Sequence, residues 1–195
     1  MALKGQKTVT GFIPWDNLMQ LILKLQRDRE YKFCLLISIG CFTGLRISDI
    51  QALRWSDILE KDVISLDEKK TKKNRKIKIN ADLKEIIIKC YALMKSPPIE
   101  NFVLVNKYGT KPIRIQWVNE KLKRLFKEYG IKCANASSHT LRKTFGRRIW
   151  ELNNYSEKSL VLLSEIFNHS NVQITKRYLG IKEEELFDIY DMLGM

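Results

Sequence analysis

Apolar residues recur along this chain at two periods, and the change of period divides it. Between Pro14 and Asp28, Leu18, Leu21, Ile22 and Leu25 stand at i, i+3, i+4 and i+7, the spacing of one helix face. Pro14 lies near the start, where its missing N–H costs little. Glu30 to Thr43 is nearly all apolar and predicts a buried second helix. Gly44 supplies the left-handed stop that ends it. A short third helix is expected from Ile47 to about Leu53. Val63 to Leu66 and Arg75 to Ile79 then flank a polar loop and predict a hairpin. Ala81 to Lys95 returns to helical spacing and stops at Ser96-Pro97-Pro98. Phe102 to Val105 is a candidate third strand, with a turn at Tyr108-Gly109 after it. Helical patterns follow over Ile113–Tyr129, Ser138–Leu152, Glu157–Phe167, Val172–Leu179 and Lys182–Met192. The expected fold class is α+β, mainly helical, with a small antiparallel β-sheet at one edge.

At 195 residues, 45% hydrophobic and 10% aromatic, the chain has room for one domain, or two small ones, with a real core. The stretch from Met1 to Thr10 is polar and basic and does not read as a signal peptide. The longest apolar run, Phe33 to Phe42, is too short to span a bilayer. A soluble, cytoplasmic protein is expected. Cys34, Cys41, Cys90 and Cys133 form no C-x-x-C pair, and with two histidines no zinc spacing assembles. They are read as reduced and structural, and a metal-free chemistry without cofactors is favoured. Charge changes the picture more. Thirty-five basic residues oppose 22 acidic ones, a net +13, which points to a polyanion: nucleic acid or an anionic membrane surface. The membrane reading is the weaker, because no basic amphipathic anchor accompanies the charge. Eleven basic residues fall between Lys111 and Arg148 against only Glu120 and Glu128. From Ile181 onward the sign reverses, with Glu183, Glu184, Glu185, Asp188 and Asp191 against Lys182.

The candidate chemistry starts from the two histidines. His139 and Arg142 are three apart on one predicted helix and share a face. His169 stands just before a helix that carries Tyr178 nine residues later. Arg46 opens a helix after the Gly44 stop, where a guanidinium beside free backbone N–H groups suits a phosphate. Lys70 lies in the basic loop of the hairpin. Singly, each has a bland reading: a hydrogen-bonded structural histidine, or a solvated basic loop.

Together they form an ordered set. Thr43-Gly44-Leu45-Arg46-Ile47-Ser48-Asp49-Ile50, with Leu53-Arg54-Trp55 and Asp57-Ile58, resembles the first box of the tyrosine recombinases, the phage-integrase superfamily. His139-Thr140-Leu141-Arg142 resembles their His-x-x-Arg box. Leu163 to Asn171, followed by Thr175-Lys176-Arg177-Tyr178-Leu179, resembles the box that holds the nucleophile, and Lys70-Thr71 is similar to the family's hairpin lysine. The resemblance runs from about Pro14 to the end. It departs at Asn168, where the family usually has glycine. Asn tolerates a left-handed backbone, so the turn is expected to survive. The stretch from Arg142 to His169 also looks a few residues long, with a loop expected around Asn153-Asn154.

The resemblance implies a catalytic domain over residues 13–180, after an N-terminal tail (1–12) and before a C-terminal helix (181–195) that docks in its own core or in a neighbouring protomer. It implies a site-specific recombinase that cleaves and rejoins double-stranded DNA through a 3′-phosphotyrosine, as a tetramer on DNA. Tyr178 would be the nucleophile, Arg46 and Arg142 the phosphate clamp, and Lys70 the general acid. His139 would take the phenol proton or orient the phosphate, and His169 would donate to a non-bridging oxygen. Most members carry a DNA-clamping domain ahead of the catalytic one, and none is recognised here. Two rival functions share these features: DNA relaxation of the type IB topoisomerase kind, and a non-catalytic DNA-binding factor that kept the fold.

Overall fold

Pro14 caps helix α1 (Trp15–Arg27), which carries Asp16 in its first turn and Lys24 and Arg27 in its last, the signs the helix dipole favours. Its buried face is the predicted one, Leu18, Leu21, Ile22 and Leu25. The computed structural model describes residues 10–67, 74–106, 108–109, 111–181, 187 and 190–192. Lys70, most of the C-terminal acidic segment and the first nine residues lie outside the described residues.

Helix α2 (Tyr31–Thr43) is buried continuously from Phe33 to Cys41 and forms the centre of the molecule, as a helix apolar on all sides must. Gly44 ends it at φ 64°, its N–H donating to the Gly40 carbonyl at 3.1 Å. Two short helices follow, α3 (Ile47–Ala52) and α4 (Trp55–Ile58). The second was not anticipated; Arg54 N donates to the Asp57 carboxylate at 2.7 Å and starts it. Strands β1 (Val63–Asp67) and β2 (Asn74–Lys78) pair antiparallel with Ile64 opposite Ile77, as the alternation predicts.

The candidate strand at Phe102–Val105 does not form a ladder. Phe102 bridges Arg54 and Val105 bridges Pro112, each as an isolated pair. Pro112 has no N–H to offer, so pairing stops there. The same segment delays the next helix. Ile113 N donates to Leu104 O at 3.0 Å and Asn106 N to Lys111 O at 2.7 Å, which commits this backbone before a helix can begin at Ile115. Helix α5 (Ala81–Leu93) ends two residues before its predicted limit, Lys95 and Ser96 taking positive φ.

The remaining helices are α6 (Ile115–Glu128), α7 (Ser138–Leu152), α8 (Glu157–Phe167) and α9 (Val172–Leu179). Residues 153–155 make the expected loop, with Asn154 and Tyr155 at positive φ. The large core gathers α1, α2, α5 and α6, while a second, smaller cluster of Leu160, Leu163, Phe167, Leu179 and Ile181 joins α8 and α9. Helix α7 lies between the two. It approaches α2 so closely that a Cβ at Gly40 would meet the Leu141 Cβ at 2.8 Å. The segment before α1 is strapped onto this region: Ile13 N donates to Thr144 Oγ1 at 2.9 Å and Gly11 N to Ala134 O at 2.7 Å.

Candidate active site

Helix α7 starts at a reciprocal cap, in which the Ser137 hydroxyl accepts from His139 N at 3.3 Å and the Thr140 hydroxyl accepts from Ser137 N at 3.1 Å. The cap fixes the phase of the helix and sends its two candidate residues different ways. His139 is exposed in the first turn. Arg142 runs inward and is 5% exposed. Its two terminal nitrogens donate to the carbonyls of Gly44 and Phe167, the second at 2.9 Å, and its guanidinium lies 4.2 Å over the Phe167 ring. Both carbonyls close helices, where the dipole favours a cation. Burial and the neighbouring Arg46 push the Arg142 pKa down to about 10, which still leaves it charged at neutral pH.

Arg46 reaches the same carbonyl from the other side. It is the N-cap of α3 in an extended conformation, and its Nη2 donates to Phe167 O at 3.0 Å. Two guanidiniums from distant parts of the chain thus share one acceptor. Each guanidinium has five N–H donors, so both retain capacity for an anion. Asn168 follows Phe167 with φ 52° and ψ 48°, the left-handed turn expected of it, and brings His169 into the same site.

The His169 ring lies 5.4 Å from the Phe167 ring and 5.6 Å from the Tyr178 ring. Its Nδ1 is 2.9 Å from Thr175 Oγ1. Burial, then the charges of Arg142 and Arg46, lower its pKa and keep the imidazole neutral at pH 7. Helix α9 is capped by Asn171, whose side chain accepts from Ile174 N at 3.0 Å. That cap directs Tyr178 inward, edge-on to Phe167 at 5.6 Å. The phenol donates to the backbone carbonyl of His139 at 3.3 Å. Burial raises its pKa to about 12, outweighing the two arginines, which pull the other way.

Four of the six residues singled out in the sequence therefore meet around Phe167, Arg46 and Arg142 on its carbonyl and His169 and Tyr178 against its ring. The fifth, His139, meets them through its backbone. Lys70 lies outside the described residues. Sequence reasoning missed the carbonyl acceptors of Gly44 and Phe167 and the hydroxyl of Thr175. A helix stop before each of Leu45 and Asn168 was the only trace of the first two, and Thr175 had entered only as a member of the nucleophile box. Among the described residues no group of three or more His, Cys, Asp or Glu side chains is placed to hold a metal, and no helix is long and apolar enough to cross a membrane.

A model of the phage integrase family matches residues 13–185. The chain belongs to that family. Among relatives of this integrase-family chain is the probable integrase/recombinase YoeC of Bacillus subtilis (strain 168), 36% identical over 91% of the chain and 98% of that protein. The tyrosine recombinase XerH of Campylobacter jejuni is 28% identical over 78% of the chain and 42% of that protein. A crystal structure of XerA recombinase superposes with a TM-score of 0.71 at 21% identity, over 93% of the chain and 64% of that one. XerH bound to a palindromic difH substrate in a post-cleavage complex superposes at 0.69 and 18% identity, over 93% of the chain and 53% of that one. The integrase-family chain shares the mainly helical catalytic-domain fold of these neighbours and is a tyrosine-type site-specific recombinase.

Proposed function

We propose that this chain cleaves and rejoins double-stranded DNA through a 3′-phosphotyrosine formed on Tyr178. The observation that carries the reading is the convergence of Arg46 and Arg142 on the carbonyl of Phe167, whose ring lies edge-on to Tyr178. Two like charges held this close, one of them buried, are costly on their own and favour an anion between them. A phosphodiester presents two non-bridging oxygens, and two guanidiniums match them. Donors already in place stabilise the charge that builds up in the pentacoordinate state, each contributing a few kcal/mol.

The step balances as follows. Tyr178 Oη attacks phosphorus, the bond from phosphorus to the 5′ oxygen breaks, and the phenol proton passes to the His139 imidazole. His169 donates a hydrogen bond to a non-bridging oxygen. Lys70 supplies the proton that the departing 5′ oxygen needs. Rejoining is the same path reversed, the covalent bond having kept the energy of the one it replaced. The hydroxyl must first leave the His139 carbonyl, so the conformation described is the one before attack.

A groove beside α3 offers the duplex a track. Ser48 and Gln51 line a recess of about 770 Å³. It shares Pro112–Arg114 and Gln116 with a second recess of about 1100 Å³ that adds Lys32, Lys111 and Trp117. These cations would hold phosphates and position the DNA without specifying its sequence. Exchange of strands, as opposed to relaxation, needs several active sites on one DNA assembly. A tetramer acting in the cytoplasm, with the segment from residue 181 onward docked on a neighbouring protomer, meets that need. A separate DNA-clamping domain, in this chain or supplied to it, would complete the grip on the duplex.

The test is covalent trapping. The protein is incubated with nicked duplexes whose cleaved strand loses a short 5′-hydroxyl fragment, then denatured. Protein joined to DNA in the wild type and absent in Tyr178→Phe is the expected result. An adduct that persists in Tyr178→Phe would overturn the choice of nucleophile. Relaxation of plasmids that lack any trapped site would favour the topoisomerase reading.

A further inference from the structure

Thr175 takes no part in the chemistry above, yet it is fully buried in α9, one turn before Tyr178. Its Oγ1 lies 2.9 Å from His169 Nδ1. The geometry around His169 leaves that ring little freedom. Phe167 flanks it tilted and Tyr178 edge-on, and its own backbone N–H donates to Ser164 O at 2.9 Å. The Ser164 hydroxyl in turn donates to the His169 carbonyl at 3.4 Å. With the ring so held, what remains to be decided is which nitrogen carries the proton.

A neutral imidazole donates from one nitrogen only, and the partner at the other nitrogen decides which. If Nδ1 were protonated, Nε2 would be a bare acceptor and would repel a phosphate oxygen. A hydroxyl that donates to Nδ1 forces the proton onto Nε2, where it faces the anion. A threonine hydroxyl is able to donate in this way; a valine of the same shape is not. We propose that Thr175 is a positioning residue for strand cleavage: its hydroxyl donates to His169 Nδ1 and holds the imidazole in the tautomer whose Nε2–H bonds the scissile phosphate. The proposal deepens the recombinase reading and rests on it.

Two measurements test it, and one is independent of catalysis. In the full chain labelled with ¹⁵N-histidine and free of DNA, His169 should show a protonated Nε2 and an unprotonated Nδ1 at neutral pH, its signals identified by their loss in His169→Gln. An Nδ1-protonated ring would overturn the proposal, whatever the protein does to DNA. In single-turnover cleavage of the nicked substrates, Thr175→Val should be slower by about tenfold or more, as removal of an orienting partner commonly is. Thr175→Ser should recover most of that rate, and DNA affinity should be unchanged in both. Thr175→Val added to His169→Gln should cost nothing further, because the two act as one unit. An equal loss in both backgrounds, or a Thr175→Val as fast as the wild type, would reduce Thr175 to packing. If the wild type forms no adduct, the recombinase mechanism fails by itself and the NMR result alone decides the tautomer.

Discussion

At Tyr178 and His169 burial and charge act in different combinations. For the phenol they oppose each other, and burial wins, raising the pKa to about 12. The phenolate at pH 7 is then on the order of one part in 10⁵, so a proton acceptor at the moment of attack is needed. For His169 they agree, and both favour the neutral ring. The unfolded chain takes up a proton near pH 6.5, while the folded one resists it. The stability contributed by His169 is therefore complete above about pH 6.5 and is lost as pH falls toward the lowered folded value. Urea midpoints measured from pH 7.5 to 5 should fall more for the wild type than for His169→Gln; parallel curves would mean the imidazole titrates freely. Asn168 is the other residue whose backbone carries the site. With φ at 52°, Asn168→Gly should be tolerated, whereas Asn168→Val should cost about 1–2 kcal/mol in urea unfolding. It should reduce cleavage further still, by swinging the Phe167 carbonyl away from both arginines. Equal stability of the two variants would show that the turn does not depend on this φ.

The decisive contact between elements is that of α2 with α7. Alanine is normally better than glycine inside a helix by about 1 kcal/mol. At Gly40 an added Cβ would stand 2.8 Å from the Leu141 Cβ, and overpacking of this kind costs about 1–3 kcal/mol. Gly40→Ala should therefore lower the chemical-denaturation midpoint and, by moving α7, slow cleavage. A raised midpoint would mean that the helices can separate without penalty. The ends of the elements are as informative as their contacts. Caps at Ser137 and Asn171 set the phase of α7 and α9, and that phase determines that Arg142 and Tyr178 point inward. Both helix limits were readable from residue type and spacing. The third strand was not, because Phe102–Val105 has the composition of a strand but meets a proline where its partner should donate.

For the whole molecule the net charge of +13 and the cations along the groove predict a binding strength governed by phosphate neutralisation. The logarithm of DNA affinity against the logarithm of salt should fall with a slope of about −4 or steeper, as expected for at least five phosphates. A slope near −1 would leave the groove without its duplex. The acidic segment beyond Ile181 calls for a separate test. Deleting residues 182–195 should impair assembly on DNA, read by gel mobility, more than cleavage at a single site. An equal loss of both would place that segment in its own core.

Sequence alone determined the inventory and its local frame: which residues could carry the chemistry, which helices hold them, and where those helices stop. These depend on neighbours within one or two turns, and periodicity and caps record such neighbours directly. Only the tertiary structure decided how the inventory is used. Arg46 and Arg142 meet on a carbonyl 121 and 25 residues away from them, respectively. His139 stays exposed while Arg142, three residues on, is buried. Thr175 is buried against His169 with nothing in its own neighbourhood to announce it. A backbone carbonyl is present at every residue, so sequence cannot mark the one that two packed helices turn toward a pair of cations.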